Sequence, residues 1–123
     1  MKLMAQVLVA LVALAHVGFL VLEMFLWTTP YALRSFNMTP EFARASAVLA
    51  ANQGLYNGFL AAGLLWGLIA RDNGFAIKVF FLSCAIVAGL FGTYSTGKMT
   101  ILYVQALPAA LALLFVTLSR ERL

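Results

Sequence analysis

Charged side chains are scarce in this chain: Asp, Glu, Lys and Arg make up only 10% of its 123 residues, whereas a typical soluble domain has about 25%. Hydrophobic residues make up 64%. A chain this short cannot bury so many apolar residues within itself, because small domains bury proportionally little surface. The composition excludes a water-soluble enzyme, a soluble DNA-binding module and a disordered segment. It predicts an integral membrane protein whose solvent is the lipid bilayer.

The chain also has only one cysteine, Cys84, and one histidine, His16. A single thiol excludes an intrachain disulfide and a CxxC redox pair, and a single imidazole excludes a site with several histidine ligands. We therefore expect no metal and no cofactor. The net charge is +4, but the basic residues are spread singly between apolar runs. This pattern lacks the continuous basic surface of a nucleic-acid-binding protein, so we expect no nucleic-acid partner.

Four apolar runs are each long enough to cross a bilayer, which requires about 20 residues. The sequence predicts an all-α integral membrane bundle, a single domain over residues 1–123, with transmembrane helices at about residues 3–27, 47–70, 77–96 and 100–118. A cleaved signal peptide is the alternative for the first run. That run stays hydrophobic as far as Trp27, which is too long for the apolar core of a signal peptide.

The segment between the first two spans contains Thr39-Pro40-Glu41, a pattern typical of a helix start. Threonine is a favoured N-cap, proline suits the first helical position, and an acid suits the positive end of the helix dipole. A helix that begins at Pro40 either projects beyond the bilayer as part of span 2 or bends near Ser46. The sequence also predicts a short amphipathic helix in the loop between spans 1 and 2.

The distribution of basic residues predicts the orientation. With four spans both termini lie on one side, together with Lys2, Arg71, Lys78, Arg120 and Arg122, whereas the other side carries Arg34, Arg44 and Lys98. The positive-inside rule then predicts a multi-pass protein of the cell membrane with both termini in the cytoplasm. The excess is small, and a protein that inserts in both orientations would show much the same pattern.

Ionisable side chains within membrane spans are costly and are functional candidates by default. Span 1 holds two, His16 and Glu23; they share a helix face but lie about 10 Å apart along the axis, too far for a direct hydrogen bond. The polar side chains of the other spans gather with Glu23 in the bilayer half away from the termini. We therefore predict a polar pocket there, with these ligand-binding residues: His16, Glu23, Trp27, Asn52, Gln53, Tyr56, Asn57, Tyr94 and Gln105.

A structural role is the alternative for several of these residues. Asn and Gln side chains in spans often only hydrogen-bond neighbouring helices, and Glu23 could instead reach the lipid headgroups. The pairs Gly54-x-x-x-Gly58 and Gly63-x-x-x-Gly67 predict close helix approach. Pro108 removes a backbone hydrogen bond and predicts a kink in span 4.

Three segments carry a family resemblance: Glu23-Met-Phe-Leu-Trp27-Thr-Thr-Pro30, Ala50-Ala-Asn52-Gln53-Gly54-Leu-Tyr56-Asn57-Gly58 and Val104-Gln105-Ala-Leu-Pro108. They resemble the bacterial four-span family called domain of unknown function 1304, and the likeness covers nearly the whole chain. The resemblance implies a four-helix protein of the bacterial inner membrane and brings no established activity with it. The motif residues coincide with the polar positions selected by depth.

Three functions remain open from the sequence. The first is binding or transport of a small cationic or lipophilic molecule; here the layout resembles small multidrug resistance transporters, which work as dimers, so a homo-oligomer is a further expectation. The second is an accessory or assembly subunit with no chemistry of its own. The third is an intramembrane enzyme of isomerase or hydratase type that acts on a lipophilic substrate, with Glu23 as the catalytic acid or base.

Overall fold

The structure is a computed structural model that describes residues 1–120. Helices account for 88% of this range, and it contains no strand. The helices are α1 (Lys2–Phe25), α2 (Pro30–Ser35), α3 (Pro40–Ile69), α4 (Gly74–Thr96) and α5 (Met99–Arg120). The all-α prediction is confirmed. Arg122, which the sequence assigned to the side of the termini, lies outside the described residues.

Within residues 1–120, three helices are long and apolar enough to cross a membrane: α1, α4 and α5. These helices leave large apolar side chains exposed, among them Leu3 at 73% and Phe91 at 66%. Such a surface is unfavourable in water and suits lipid. Although α3 is the longest helix, with 30 residues, it lacks the same apolar character because Asn52, Gln53 and Asn57 interrupt its apolar sequence. The findings thus support a membrane protein with three candidate spans, and the fourth span stays a prediction.

Two Thr-Pro pairs start helices in the segment that follows α1. Thr39 caps α3, since its Oγ1 accepts a hydrogen bond from the Phe42 backbone N–H at 3.1 Å. From there α3 runs as one helix to Ile69, so the predicted start is confirmed. Thr29 caps α2 in the same way, and its Oγ1 accepts from the Ala32 N–H at 3.4 Å. The short helix of this segment therefore lies at Pro30–Ser35, and the start at Pro40 belongs to the long helix.

The described chain forms two compact units, and both α1 and α3 contribute residues to each. Unit A comprises residues 1–14 and 60–120. Its core is wholly apolar and combines segments of α1, α3, α4 and α5. Half of its fully buried members are alanines, as expected where membrane helices pack closely. The core residues are Ala5, Val9, Val12, Ala13, Leu64, Leu82, Ala85, Ala109, Ala112 and Val116.

Close packing in unit A depends on glycines. A Cβ on Gly63 would overlap the Phe81 ring of α4, and the predicted close approach at this position is confirmed. A Cβ on Gly89 would lie 2.6 Å from the backbone nitrogen of Ala106, so α4 lies almost directly against the backbone of α5. There α5 contains a π-helical segment, Leu102–Ala106. The segment ends two residues before Pro108, whose missing N–H disrupts regular α-helical bonding.

Candidate functional site

Unit B, residues 15–59, contains a close antiparallel contact between α1 and α3. Gly54 of α3 is buried, and a Cβ there would lie 2.6 Å from Met24 Cγ and 3.2 Å from the Leu20 carbonyl oxygen. One turn further along α3, a Cβ on Gly58 would lie 2.6 Å from Leu20 Cδ1. The two glycines therefore allow α3 to approach the backbone of α1, as the Gly-x-x-x-Gly spacing predicts.

This contact brings a carboxylate and an amide together. Glu23 lies two residues before the end of α1, and the Asn57 side-chain nitrogen donates a hydrogen bond to its Oε1 at 2.5 Å. Gly54 leaves room beside the Glu23 Cβ, which would lie 3.1 Å from an added methyl group. Helical side chains lean toward the helix N-terminus. In the antiparallel pair this lean directs Glu23 toward Asn57, three residues beyond Gly54.

The second carboxylate oxygen of Glu23 has no such partner. Within residues 1–120, Glu23 accepts a hydrogen bond from Asn57 only, and no Lys or Arg forms a salt bridge with the Glu23 carboxylate. The structure also contains no buried polar side-chain atom without a hydrogen bond in this range. Since Glu23 is only partly buried, its Oε2 is therefore accessible at the surface of the chain. It can accept a hydrogen bond from a ligand or lie against a positive charge.

Trp27 lies four residues beyond Glu23, in the turn that follows α1, and connects this turn to α3. Its indole nitrogen donates to Ser46 Oγ at 3.0 Å, and Ser46 donates in turn to the Phe42 carbonyl oxygen at 2.7 Å. The indole ring also lies 5.0 Å from the Phe36 ring. The polar atom of Trp27 is thus engaged within the protein, and its ring is partly buried.

His16 belongs to unit B but not to the hydrogen-bonded pair. Its side chain is 1% exposed and its ring meets the Phe19 ring edge-on at 5.2 Å. It lies about 10 Å from Glu23 along α1, as seven residues require. The structure therefore places His16 in a packed environment that is separate from the Glu23 carboxylate.

The other predicted residues of α3 lie on its outer surface. Asn52 and Gln53 are exposed, and Tyr56 is 58% exposed with its ring near that of Phe59. Within the described chain none of the three hydrogen-bonds Glu23. Of the three predicted amides on α3, Asn57 alone reaches the carboxylate.

Tyr94 and Gln105 belong to unit A. Tyr94 lies near the end of α4 and is 86% exposed. Gln105 is partly buried within the π-helical segment of α5. Neither residue forms part of unit B, in which Glu23, Asn57 and Trp27 lie together.

The sequence assigns no site role to Ser46, the hydrogen-bond partner of Trp27, and it predicts close packing at Gly54 but not that Glu23 is the neighbour. Helical periodicity contained a signal for Ser46. It precedes Asn57 by 11 residues, which places the two side chains about 20° apart on α3. Glu23 and Trp27 are likewise four residues apart, a spacing typical of one helix face, although α1 ends at Phe25 and Trp27 lies in the turn that follows.

The chemistry available at Glu23 is that of a single carboxylate. Among residues 1–120, no three His, Cys, Asp or Glu side chains lie close enough to hold a metal ion. One oxygen of the carboxylate is oriented by an amide donor and the other remains accessible. This arrangement can bind a cation or a hydrogen-bond donor.

Comparison with known proteins gives a family match over most of the chain. The sequence model of the family described as "Protein of unknown function (DUF1304)" matches residues 10–117. The chain is also similar to the uncharacterized protein YpaA of Lactococcus lactis subsp. lactis (strain IL1403), with 33% identity over 104 residues. That alignment covers 83% of this chain and 87% of the relative. No solved structure matches the chain.

Proposed function

This chain belongs to the DUF1304 family, and we propose that it is a four-span membrane protein that binds a small lipophilic cation at Glu23. One observation carries the proposal: Asn57 holds Glu23 Oε1, while Oε2 remains accessible. The amide fixes the orientation of the carboxylate and leaves the second oxygen available for a ligand.

The surroundings of Glu23 favour a cation. A carboxylate partly withdrawn from water attracts an opposite charge more strongly than a solvated one does. Unit B has two basic residues of its own, Arg34 and Arg44. Arg44 lies 3.8 Å from Glu41, and neither arginine pairs with Glu23. The protein thus provides no internal counter-ion for this carboxylate within residues 1–120.

The side chains beside Glu23 favour a lipophilic ligand. Leu20 and Met24 lie next to it in the α1–α3 contact and are apolar. Trp27, four residues further in the turn after α1, adds an aromatic ring, and indole rings attract cations through their electron-rich faces. A small organic cation with apolar substituents matches both the charge and this surface.

The four-span part of the proposal concerns α3. This helix packs directly against α1, which has the character of a span. One of its polar side chains, Asn57, is satisfied by Glu23. Its 30 residues extend about 45 Å, so it can cross a hydrocarbon core of about 30 Å and still project beyond it. The positive-inside rule then places both termini in the cytoplasm of a bacterial inner-membrane protein.

Titration with tetraphenylphosphonium tests the binding site. In a Trp66→Phe background Trp27 is the single tryptophan, and its fluorescence reports on the region beside Glu23. We expect Glu23→Gln, which keeps the shape and the hydrogen bond but removes the charge, to weaken binding about tenfold or more, or about 1.4 kcal/mol.

Two controls accompany this titration. Glu41→Gln removes an exposed carboxylate near the start of α3 and should leave the affinity unchanged. Triphenylphosphine oxide, which is neutral, should bind wild type and Glu23→Gln equally. Equal affinity of wild type and Glu23→Gln for tetraphenylphosphonium, or the absence of saturable binding, would refute the proposal and favour an accessory subunit.

A further inference from the structure

Three basic side chains lie at helix ends in unit A. Lys2 is the first residue of α1, Lys78 lies in the second turn of α4, and Arg120 is the last residue of α5. Lys2 and Arg120 are exposed, whereas Lys78 is partly buried. Three separate helices therefore each contribute one cation to this unit.

One direct contact and the packing of the helices bring these cations to one end of unit A. The Arg120 guanidinium lies 4.0 Å from the centre of the Phe75 ring. Phe75 and Lys78 are three residues apart on α4 and are neighbours on its surface. Lys2 begins α1, whose Ala5 packs in the same core as Leu82 of α4, and at this end of the two helices its charge acts on the Lys78 ammonium. The three cations thus form one basic cluster that includes an aromatic ring: Lys2, Lys78, Arg120 and Phe75.

The position of Lys78 is held by its packing. A Cβ on Gly67 of α3 would lie 2.6 Å from Lys78 Cγ and 3.2 Å from its backbone nitrogen. The aliphatic stem of Lys78 therefore lies flat against α3. Lysine commonly buries its stem in this way and presents its ammonium at the edge of an apolar region. The ammonium is consequently less mobile than that of a fully exposed lysine.

No acid of the described chain neutralises this cluster. Asp72 is the single Asp or Glu of unit A among residues 1–120, and it forms no salt bridge with Lys2, Lys78 or Arg120. Two like charges that interact, one of them partly buried, repel each other without a counter-ion. Within residues 1–120 these charges thus have no neutralising acid, an arrangement that an external anion would relieve.

We propose that Lys2, Lys78 and Arg120 bind the phosphate of an anionic phospholipid of the phosphatidylglycerol type. Arg120 can present paired N–H donors to phosphate oxygens, and the lysines supply point charges. Phe75 offers an apolar surface for the upper part of the lipid, whose acyl chains continue along the exposed apolar helices. Basic pockets between helices on the cytoplasmic side of a membrane suit such headgroups. The proposal shares no residue with the Glu23 site.

Thermal unfolding in neutral detergent, with either dioleoylphosphatidylglycerol or dioleoylphosphatidylcholine added, tests this site. Wild type should gain several degrees from the anionic lipid and little from the neutral one, because a ligand that binds the folded state stabilises it. The effect of Lys78→Gln on thermal stability should depend on whether the anionic lipid is present. In neutral detergent the variant should be at least as stable as wild type, since it removes repulsion from Lys2, whereas the stabilisation by the anionic lipid should be largely lost.

Further variants keep the interpretation unambiguous. Lys78→Arg retains the charge and should retain the stabilisation, which shows whether the loss in Lys78→Gln reflects charge or misfolding. Arg34 is an exposed cation of α2 in unit B, and the Arg34→Gln variant should respond to the anionic lipid as wild type does. Equal stabilisation of wild type, Lys78→Gln and Arg120→Gln by phosphatidylglycerol would overturn the proposal.

The phosphate could also come from a free anion, and a competition experiment separates the two sources. Millimolar inorganic phosphate should neither stabilise wild type nor displace the lipid, because it lacks the acyl chains that keep the headgroup at the helix ends. If inorganic phosphate reproduces the full stabilisation in a Lys78-dependent manner, a lipid is not the ligand and that part of the proposal is wrong.

Discussion

Replacing Gly54 by alanine tests whether the close contact of α1 and α3 holds the Glu23 site in place. The new methyl group would lie 2.6 Å from Met24 Cγ, 3.1 Å from Glu23 Cβ and 3.2 Å from the Leu20 carbonyl oxygen. The flexible Met24 side chain can rotate away. The Cβ of Glu23 and the backbone oxygen of Leu20 can give way only if α1 itself moves.

Gly18→Ala is the matched control, since nothing lies within 4 Å of a Cβ at that position of α1. Alanine favours a helix over glycine by about 0.8–1 kcal/mol, and this term is common to both variants. Overpacking of a tight contact costs about 1–3 kcal/mol. We therefore expect Gly54→Ala to be less stable than Gly18→Ala by about 1–3 kcal/mol, or a few degrees in Tm.

The assay is thermal unfolding of both variants in the same detergent, followed by circular dichroism, together with tetraphenylphosphonium binding. Displacement of α1 separates Glu23 from Asn57, so Gly54→Ala should also bind the cation more weakly than Gly18→Ala. In a Met24→Ala background the stability difference should shrink but persist, because the contacts with Glu23 Cβ and Leu20 O remain. Equal stability and equal affinity of Gly54→Ala and Gly18→Ala would refute this account of the contact.

Two further predictions concern the spans and the anchor at Trp27. In a Cys84→Ser background, Asn37→Cys should react with a membrane-impermeant maleimide in intact cells, whereas Asp72→Cys should react only after permeabilisation. The opposite labelling pattern would contradict the proposed topology. Partial labelling of both variants would indicate that the protein inserts in both orientations. Trp27→Phe and Ser46→Ala should each lower the free energy of unfolding by about 1 kcal/mol. The double variant should lose clearly less than the sum of the two single losses, because both remove the same hydrogen bond. Additive losses would mean that this hydrogen bond contributes nothing to stability.

The helices were the part of the fold most open to prediction from sequence. Composition and run length identified α1, α4 and α5, because bilayer thickness dictates how many apolar residues a span needs. Local capping chemistry located the start of α3 at Pro40. The same Thr-Pro signal also occurs at Thr29-Pro30, where it starts α2. Both signals are local, since a cap involves only residues within one helical turn.

The sequence predicted the composition of the candidate site only in part. Depth along the helices placed Glu23 and three amides of α3 in one layer, but depth does not determine how a helix is rotated about its axis. Polar side chains on α3 occur on more than one face, so its sequence does not specify which of them meets α1. The packing of Gly54 against Glu23 decides this: it directs Asn57 to the carboxylate and leaves Asn52 and Gln53 exposed.

The scarcity of charge thus determined, from sequence alone, that this protein belongs in a membrane and that its few polar residues are the informative ones. Tertiary structure decided which of those residues act together, because that depends on how closely two helices approach. Glu23 and Asn57 are 34 residues apart, and Lys2 and Lys78 lie on different helices. Such long-range arrangements follow from the fit of side chains across helix surfaces, which a local pattern such as Gly-x-x-x-Gly indicates but does not specify.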